Sequence, residues 1–406
     1  MAPIRILHAS DLHLSHDPRR RSILDKFDDG VIWTLRRAAS AFKGVREALA
    51  DLVERATSND PEIVEELAEF IINEARTGRL HGVVLTGDLA TTGDQEDVDA
   101  VSDLFNAEPN PRKPHIGKST KKGTLSALPA SVKLKYFAGN HDRFISTFKW
   151  GVSKGPLPFW QNGRLLLPKI FDVGGKNIDG LLADGREAVR PVPVDVAYVQ
   201  QRSANGRMLT IYVLMADFSL LRFEDHDRHF GWIAQGKVDG KILESLEEQT
   251  RIVIDSQKPD MKQRIIWACH FPPQFAQQKE HSRLLDADKL VSAANKLGVS
   301  IVLSGHTHDQ VSYNRPGMHA EVLCCGTTTQ WEPRSHPGGA DEADETRGNH
   351  FQILEFDELP NGAVTMTLEH YRYTHTFVDD LGNVHNGPQP GENRWKLISR
   401  NYPKMI

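Results

Sequence analysis

The chain has 406 residues, 39% of them hydrophobic and 25% charged, so it can bury a sizeable core and is not disordered along its length. Its 49 Lys and Arg against 54 Asp and Glu give a formal charge of −5, which argues against broad electrostatic attraction to nucleic acid or an anionic membrane. No apolar stretch reaches about 18 residues, and the first is too short for a signal-peptide core. We therefore expect a cytoplasmic protein without a membrane span.

Short apolar runs predict strands along the whole chain. In chain order these runs cover residues 4–9, 82–86, 132–138, 209–216, 264–269, 299–303 and 320–325. Helical periodicity lies between several of them, at residues 31–55, 61–77, 95–105, 241–254 and 286–297. Continuous apolar strands alternating with amphipathic helices indicate an α/β fold whose functional residues lie on the loops that follow the strands.

We expect one domain over residues 1–406, with four segments added to this pattern. They are a helical insertion at about residues 14–79, a basic loop at about 108–128, a loop-rich insertion at about 143–206 and a C-terminal β extension at about 349–406. The loop-rich insertion either faces the substrate or is a surface loop packed by its own aromatic residues. Three cysteines, all within apolar runs, are expected to be buried reduced thiols: Cys269, Cys324 and Cys325.

Five short motifs stand where predicted strands end. In chain order they are Asp11-Leu12-His13, Gly87-Asp88, Gly139-Asn140-His141-Asp142, His270 and Gly305-His306-Thr307-His308. Strand side chains alternate with period two, so the Asp-x-His and His-x-His pairs are expected to project together from an extended backbone. Carboxylate, amide and imidazole groups gathered at one sheet edge are typical of a transition-metal site.

In this order the motifs resemble those of the calcineurin-like metallophosphoesterase superfamily, over about residues 4–330. In motif style, residues 8–14 and 87–93 are most similar to its cyclic-nucleotide-type phosphodiesterases. Thr91 stands where some branches carry a further Asp, which makes the protein-phosphatase branch less attractive. The resemblance implies a two-sheet β-sandwich core flanked by helices, with long loop and helical insertions. It also implies a dinuclear centre in which Asp88 bridges the ions, with the remaining ligands Asp11, His13 and His308 on the first ion and Asn140, His270 and His306 on the second.

The ligands implied by the resemblance suit two divalent or mixed-valence ions of Mn, Fe, Zn or Co, without selecting among them. Such a pair would convert a bridging water into a hydroxide for in-line attack on a phosphate ester. His141 is not needed for the coordination count, and the resemblance implies that it is the general acid at the leaving group. Asp142 is the candidate for orienting that imidazole, and its alternatives are an ion pair with Arg143 or a carboxylate that supports the turn.

Hydrolysis of a small or medium phosphodiester is the leading hypothesis. A DNA-processing nuclease is an alternative, because the motifs also resemble the DNA-repair nucleases of the superfamily and residues 112–122 are basic. The net charge and the lack of a recognisable second DNA-binding domain argue against it. A phosphomonoesterase of the same superfamily is another alternative. A non-catalytic metal-binding scaffold is the alternative of a different class, and it is disfavoured because every ligand position is filled. The sequence does not indicate the oligomeric state, or which insertion contacts the substrate.

Overall fold

The computed structural model describes residues 3–15, 59–91, 100–101, 103–105, 125–143, 194–219, 236–273, 284–313, 317–329, 348–374, 376–378, 384–386, 394–401 and 403–406. The predicted helix at residues 31–55 and most of both predicted loop segments, at 108–124 and 144–193, lie outside these ranges. Among the residues that the structure describes, no helix is long and apolar enough to cross a membrane.

The described strands are β1 (Ile4–Ala9), β2 (Gly82–Leu85), β3 (Lys133–Tyr136), β4 (Asp195–Arg202), β5 (Met208–Met215), β6 (Gly236–Lys237), β7 (Met261–Ala268), β8 (Leu284–Leu285), β9 (Ile301–Ser304), β10 (Val311–Tyr313), β11 (Glu321–Cys324), β12 (His350–Glu358), β13 (Val364–Tyr373), β14 (Thr376–Val378), β15 (Val384–Asn386), β16 (Trp395–Arg400) and β17 (Lys404–Met405). The helices described over their full length are α1 (Pro61–Arg76), α2 (Gly240–Asp255) and α3 (Ala287–Lys296), with single 3₁₀ turns at Leu125–Ala127 and His141–Arg143. Residues 100–101 and 103–105, within the helix predicted at 95–105, are also helical.

Two large sheets contain most of the strands. The seven-stranded sheet has the order β16-β13-β12-β1-β2-β3, with β17 beside β13, and the six-stranded sheet has the order β10-β11-β9-β7-β5-β4. Neighbours β1, β2 and β3 are parallel, as are β5, β7, β9 and β11. Because parallel strands end at the same edge, the loops that follow them gather at one end of each sheet.

Three apolar layers hold the sheets and helices together. The inner layer contains side chains from both sheets, such as Ile6 and Leu354 from the first sheet and Ile266 and Leu303 from the second. Helix α1 packs on the outer face of the first sheet, and α2 and α3 pack on the outer face of the second. This α/β sandwich flanked by helices confirms the predicted fold class.

Helix boundaries follow from capping residues. Helix α1 begins after Asp60, whose carboxylate accepts the Glu62 N–H at 3.0 Å, and Pro61 occupies its first position, where a missing N–H costs nothing. Helix α2 begins after Asp239, which accepts the N–H of Lys241 at 2.9 Å. The helical periods predicted for residues 61–77 and 241–254 therefore match the observed helices to within a residue at each end.

Two predicted peripheral segments contribute strands to the main sheets. Strand β4 lies in the segment expected to be a loop-rich insertion, and it pairs with β5 along all eight residues. Strand β12 lies in the expected C-terminal extension, and it pairs directly with β1. The sheet edge that carries the motifs is therefore supported by strands from both ends of the chain.

Candidate metal centre

The five motifs meet at one end of the sandwich, on loops that follow strands of both sheets. Three of them follow β1, β2 and β3 of the first sheet, and the other two follow β7 and β9 of the second. Main-chain hydrogen bonds join the loops within each sheet: Asp11 N–H donates to the Gly87 carbonyl at 3.1 Å, and Gly305 N–H donates to the His270 carbonyl at 2.9 Å. The structure thus brings together every predicted site residue.

The backbone at the motifs differs from the sequence-based expectation. Five predicted ligands have left-handed backbones, namely Asp11 (φ 53°), His13 (49°), Asp88 (49°), His306 (69°) and His308 (60°). The prediction that the paired ligands project from an extended strand is therefore wrong, although their side chains do converge. Left-handed backbone is uncommon outside glycine, but Asp, Asn and His adopt it several-fold more often than other residues. Its cost is about 1–2 kcal/mol per residue, which the surrounding contacts must offset.

The first ligand group consists of Asp11, His13 and His308. Their donor atoms lie within 4.8 Å of one another. The Nε2 atom of His308 is 3.4 Å from Asp11 Oδ1 and 3.4 Å from His13 Nε2. All three donors therefore face one small volume, as ligands of a single cation would.

The second ligand group consists of Asp88, His270 and His306, whose donor atoms also lie within 4.8 Å of one another. The Nε2 atom of His270 is 3.1 Å from Asp88 Oδ2 and 3.0 Å from Asn140 Oδ1. Asp88 also forms a third close group with His13 and His141. Asp88 therefore lies between the two groups, where a carboxylate shared by two ions has to be.

Each central carboxylate uses its two oxygens differently. Asp11 Oδ2 accepts the His306 N–H at 3.0 Å, and Asp88 Oδ1 accepts the His141 N–H at 2.8 Å. The other oxygens, Asp11 Oδ1 and Asp88 Oδ2, are buried, and in the described part of the chain they face imidazole Nε2 atoms rather than main-chain donors. A buried carboxylate oxygen is costly unless a positive charge or a donor faces it. Together with the neighbouring imidazoles, these oxygens fit a pair of divalent cations.

Charge coupling within the centre shifts two pKa values in opposite directions. Although burial raises it, the nearby His270 and His141 hold the pKa of Asp88 well below its ordinary value. Although burial lowers it, the Asp88 carboxylate raises the pKa of His270 to about 9. Without an ion, a proton on His270 would balance the Asp88 charge. Because metal ligands must be deprotonated, a cation that binds His270 has to displace this proton.

Main-chain carbonyls set the tautomers of two imidazoles. His270 Nδ1 donates to the Thr86 carbonyl at 2.8 Å, and His141 Nδ1 donates to the Thr91 carbonyl at 2.9 Å. Each ring therefore presents Nε2 to the centre. The His141 ring lies edge-on to that of His13, with 4.6 Å between centroids. In the sequence, Thr91 was notable only because some branches carry an Asp at its position. In the structure its backbone carbonyl orients the His141 ring.

Asp142 is a buried turn carboxylate. It accepts the N–H groups of Gly139 at 2.7 Å, Ala90 at 2.7 Å and Leu89 at 3.2 Å, so it joins the loop after β3 to the loop after β2. Burial and the Asp88 carboxylate raise the pKa of Asp142 to about 7, while these donors act in the opposite direction. These contacts match the alternative in which the Asp142 carboxylate supports the turn. The His141 ring, which Asp142 was expected to orient, is held by the Thr91 carbonyl.

A run of three threonines after β11 supports the first motif and was not predicted from the sequence. Thr327 Oγ1 donates to the Asp11 carbonyl at 3.0 Å, and Thr328 Oγ1 accepts the Ser10 N–H at 3.1 Å. Thr329 Oγ1 donates to the Leu12 carbonyl. Because strained backbone carbonyls are satisfied this way, the run helps maintain the left-handed conformation at Asp11. Three consecutive hydroxyl residues shortly after a buried strand were the signal available in the sequence.

The sequence of residues 4–310 matches the family model of the calcineurin-like phosphoesterases, and the chain belongs to this family. A comparison with curated protein sequences found no match. Among solved structures, a dimetal phosphatase from Danio rerio is similar at 12% identity, covering 91% of this chain and 96% of that one, with a TM-score of 0.48. GAP50, the anchor in the inner membrane complex of Plasmodium, is similar at 10% identity, with coverages of 95% and 89% and a TM-score of 0.43.

Proposed function

We propose that this family member is a phosphodiesterase that works with two transition-metal ions. In this proposal Asp88 bridges the ions, and the other ligands are Asp11, His13 and His308 for one ion and Asn140, His270 and His306 for the other. The observation that carries the proposal is the pair of buried oxygens, Asp11 Oδ1 and Asp88 Oδ2, which lie 3.4 Å and 3.1 Å from imidazole Nε2 atoms. The donor set suits Mn, Fe, Zn or Co.

When bound, such ions would supply a nucleophilic water and neutralise charge on the phosphoryl oxygens. The protein would supply the proton for the leaving oxygen. His141 is suited to this role because Thr91 holds its Nδ1 and its Nε2 faces the group formed with His13 and Asp88. Asp142 is then a positioning residue, since its carboxylate fixes the turn from which His141 projects.

Metal depletion and restoration test this function. The purified chain, stripped with a chelator, should regain hydrolysis of an aryl phosphodiester as it takes up two equivalents of Mn²⁺ or Co²⁺. The variant His306→Ala should lose most of the bound metal, because it removes a proposed ligand. The matched control is His319→Ala, which removes an exposed imidazole outside the five motifs and should keep metal and activity.

A substrate panel tests the substrate class under the same metal supply. We expect turnover of bis(4-nitrophenyl) phosphate and of cyclic or glycerol-type diesters to exceed that of 4-nitrophenyl phosphate. Efficient cleavage of single- or double-stranded DNA with no turnover of small diesters would contradict the proposed substrate and favour the nuclease. Diester hydrolysis that is unaffected by chelation would contradict the metal mechanism itself.

A further inference from the structure

A row of polar side chains runs across neighbouring strands of the first sheet, on the face that packs against the second sheet. His8 on β1, Gln352 on β12 and His370 on β13 are successive cross-strand partners. Both His8 and Gln352 are fully buried, and the same strands contribute apolar neighbours such as Ile6 and Leu354 to the inner apolar layer. Polar groups in such a layer are costly unless they are hydrogen-bonded. The hydrogen bonds within the row therefore offset the cost of burying these side chains.

The bonds within the row have one consistent direction. Gln310 Nε2 donates to Gln352 Oε1 at 2.9 Å and lies 3.0 Å from His370 Nδ1. The Gln352 amide therefore donates to His8 Nδ1, at 2.6 Å. His8 must then carry its proton on Nε2, which donates to Thr86 Oγ1 at 2.9 Å. Burial lowers the pKa of His8 to about 3, which keeps the ring neutral and this direction fixed.

The row ends at the metal centre through Thr86. The Thr86 hydroxyl is held by His8, while the Thr86 carbonyl holds Nδ1 of His270 and thereby aims its Nε2 at Asp88. At the other end, Gln310 lies two residues after His308 and its Oε1 accepts the Gly326 N–H at 3.2 Å. One continuous set of hydrogen bonds therefore joins ligand loops from both sheets.

We propose that His8 is a positioning residue for the second metal ion, acting through Thr86 on the orientation of His270. This inference rests on the proposed function, because it assumes that His270 is a metal ligand. Groups that orient ligating imidazoles typically change metal affinity by roughly 10–100-fold when they are removed. The row should therefore control the affinity for the ion at His270 more than the affinity for the ion at His13 and His308.

Two substitutions of His8 separate its two bonds. In His8→Asn the side-chain oxygen takes the place of Nδ1 and keeps the bond from Gln352, but nothing reaches Thr86. In His8→Gln the amide reaches the Nε2 position and can still donate to Thr86. Each full-length variant, freed of metal, is titrated with Co²⁺, using visible absorption and metal analysis as the readout. We expect His8→Asn to weaken the affinity for the Co²⁺ at His270 by roughly 10-fold or more. The affinity for the Co²⁺ at His13 and His308 should be unchanged, and His8→Gln should be closer to wild type.

Thr86→Val provides a second route to the same bond. It removes the hydroxyl that accepts from His8, keeps the side-chain shape and leaves the carbonyl that holds His270. Thr86→Val should reproduce the loss of Co²⁺ affinity expected for His8→Asn. The double variant should bind Co²⁺ only a little more weakly than either single variant. Leu354→Val is the stability control, because it weakens the same apolar layer without touching the row.

The outcomes are separable. Unchanged affinity for the second Co²⁺ in both His8→Asn and Thr86→Val would overturn the positioning role, and so would an equal loss in Leu354→Val. Wild-type protein that binds fewer than two Co²⁺ would overturn the proposed function as well. Two Co²⁺ in wild type with unchanged variants would overturn the positioning role alone.

Discussion

The Asp11 and Asp88 carboxylates are oriented before any ion arrives. A main-chain N–H fixes one oxygen of each, from His306 to Asp11 and from His141 to Asp88. The second oxygen then points into the centre without needing to reorganise, which raises affinity by lowering the entropy lost on binding. The donors come from the other motifs, so each motif helps to position its neighbour.

Replacement of His141 should separate proton transfer from metal binding. His141→Ala removes the Nε2 proton donor but leaves the seven proposed ligands in place, so metal content should remain near two ions per chain. The rate constant kcat for a diester with a poor leaving group should fall roughly 10²–10⁴-fold, the usual contribution of a general acid. A series of aryl diesters of graded leaving-group pKa provides the measurement.

The loss in His141→Ala should shrink as the leaving group improves, because a good leaving group needs no protonation. His141→Gln serves as the companion variant, since it keeps a polar side chain that cannot act as an acid at neutral pH. Equal losses across the whole series would argue against the acid role. A large loss of bound metal would instead identify His141 as a ligand, in line with its proximity to His13 and Asp88.

At the residue scale, the sequence predicted which side chains meet but not how they are held. The ligands were predictable because each stands just after an apolar strand, a local signal. The contacts of Asp142 with Leu89 and Ala90 join loops about 50 residues apart, and no local pattern reports them. The left-handed backbone of Asp11 was equally hidden, since it depends on hydroxyls near residue 328.

At the element scale, the loops can approach one another only because certain positions lack a side chain. A Cβ added at Gly305 would overlap the Ser10 hydroxyl and the Asp11 carboxylate. One added at Gly139 would overlap the Asp88 carboxylate. These glycines therefore set how closely the loop after β9 approaches the loop after β1, and how closely the loops after β2 and β3 approach each other.

The variant Gly305→Ala should displace the first motif. The added methyl group has to push Ser10 or Asp11 aside, so we expect loss of at least one metal ion per chain. The free energy of unfolding should fall by about 1–3 kcal/mol, the usual cost of overpacking. Gly240→Ala is the matched control, because a Cβ there meets open space at the start of α2. Metal analysis and denaturant melts of both variants test this, and equal behaviour would contradict it.

Strand positions were predictable where apolar residues are continuous and less so where polar residues join the ladder. Strand β1 matches its predicted residues 4–9, whereas β7 begins at Met261 rather than at residue 264. The added residues include Lys262 and Gln263, which pair with β5 at Leu209 and Thr210. Such pairing depends on a distant strand. Strand β4 was missed for another reason: its partner β5 follows it directly, but its residues have a mixed burial pattern.

At the scale of the whole molecule, the candidate centre connects the two halves of the sandwich. The first sheet supplies Asp11, His13, Asp88 and Asn140, and the second supplies the remaining imidazoles. Two bound ions would therefore bridge the sheets at one end of the apolar inner layer. We propose that residues 1–406 form a single domain, because strands from both ends of the chain, β1 and β12, are paired.

Metal binding should raise thermal stability in a single transition. An ion that binds only the folded chain contributes about 2.7 kcal/mol when its free concentration is 100 times its Kd. Calorimetry of stripped and Co²⁺-loaded protein should show one transition whose Tm rises with metal. A second, metal-insensitive transition would contradict the single-domain proposal, and an unchanged Tm would contradict binding to the folded state.

The left-handed backbone at Asp11, His13, Asp88, His306 and His308 also limits how the centre could be redesigned. A change of metal preference would ordinarily be sought by exchanging ligands, for example a thiolate or a longer carboxylate for an imidazole. At these five positions the exchange must also satisfy a conformation that Asp and His tolerate better than Cys or Glu. Ligand choice and backbone shape are thus one constraint, and a redesign has to begin with the loops.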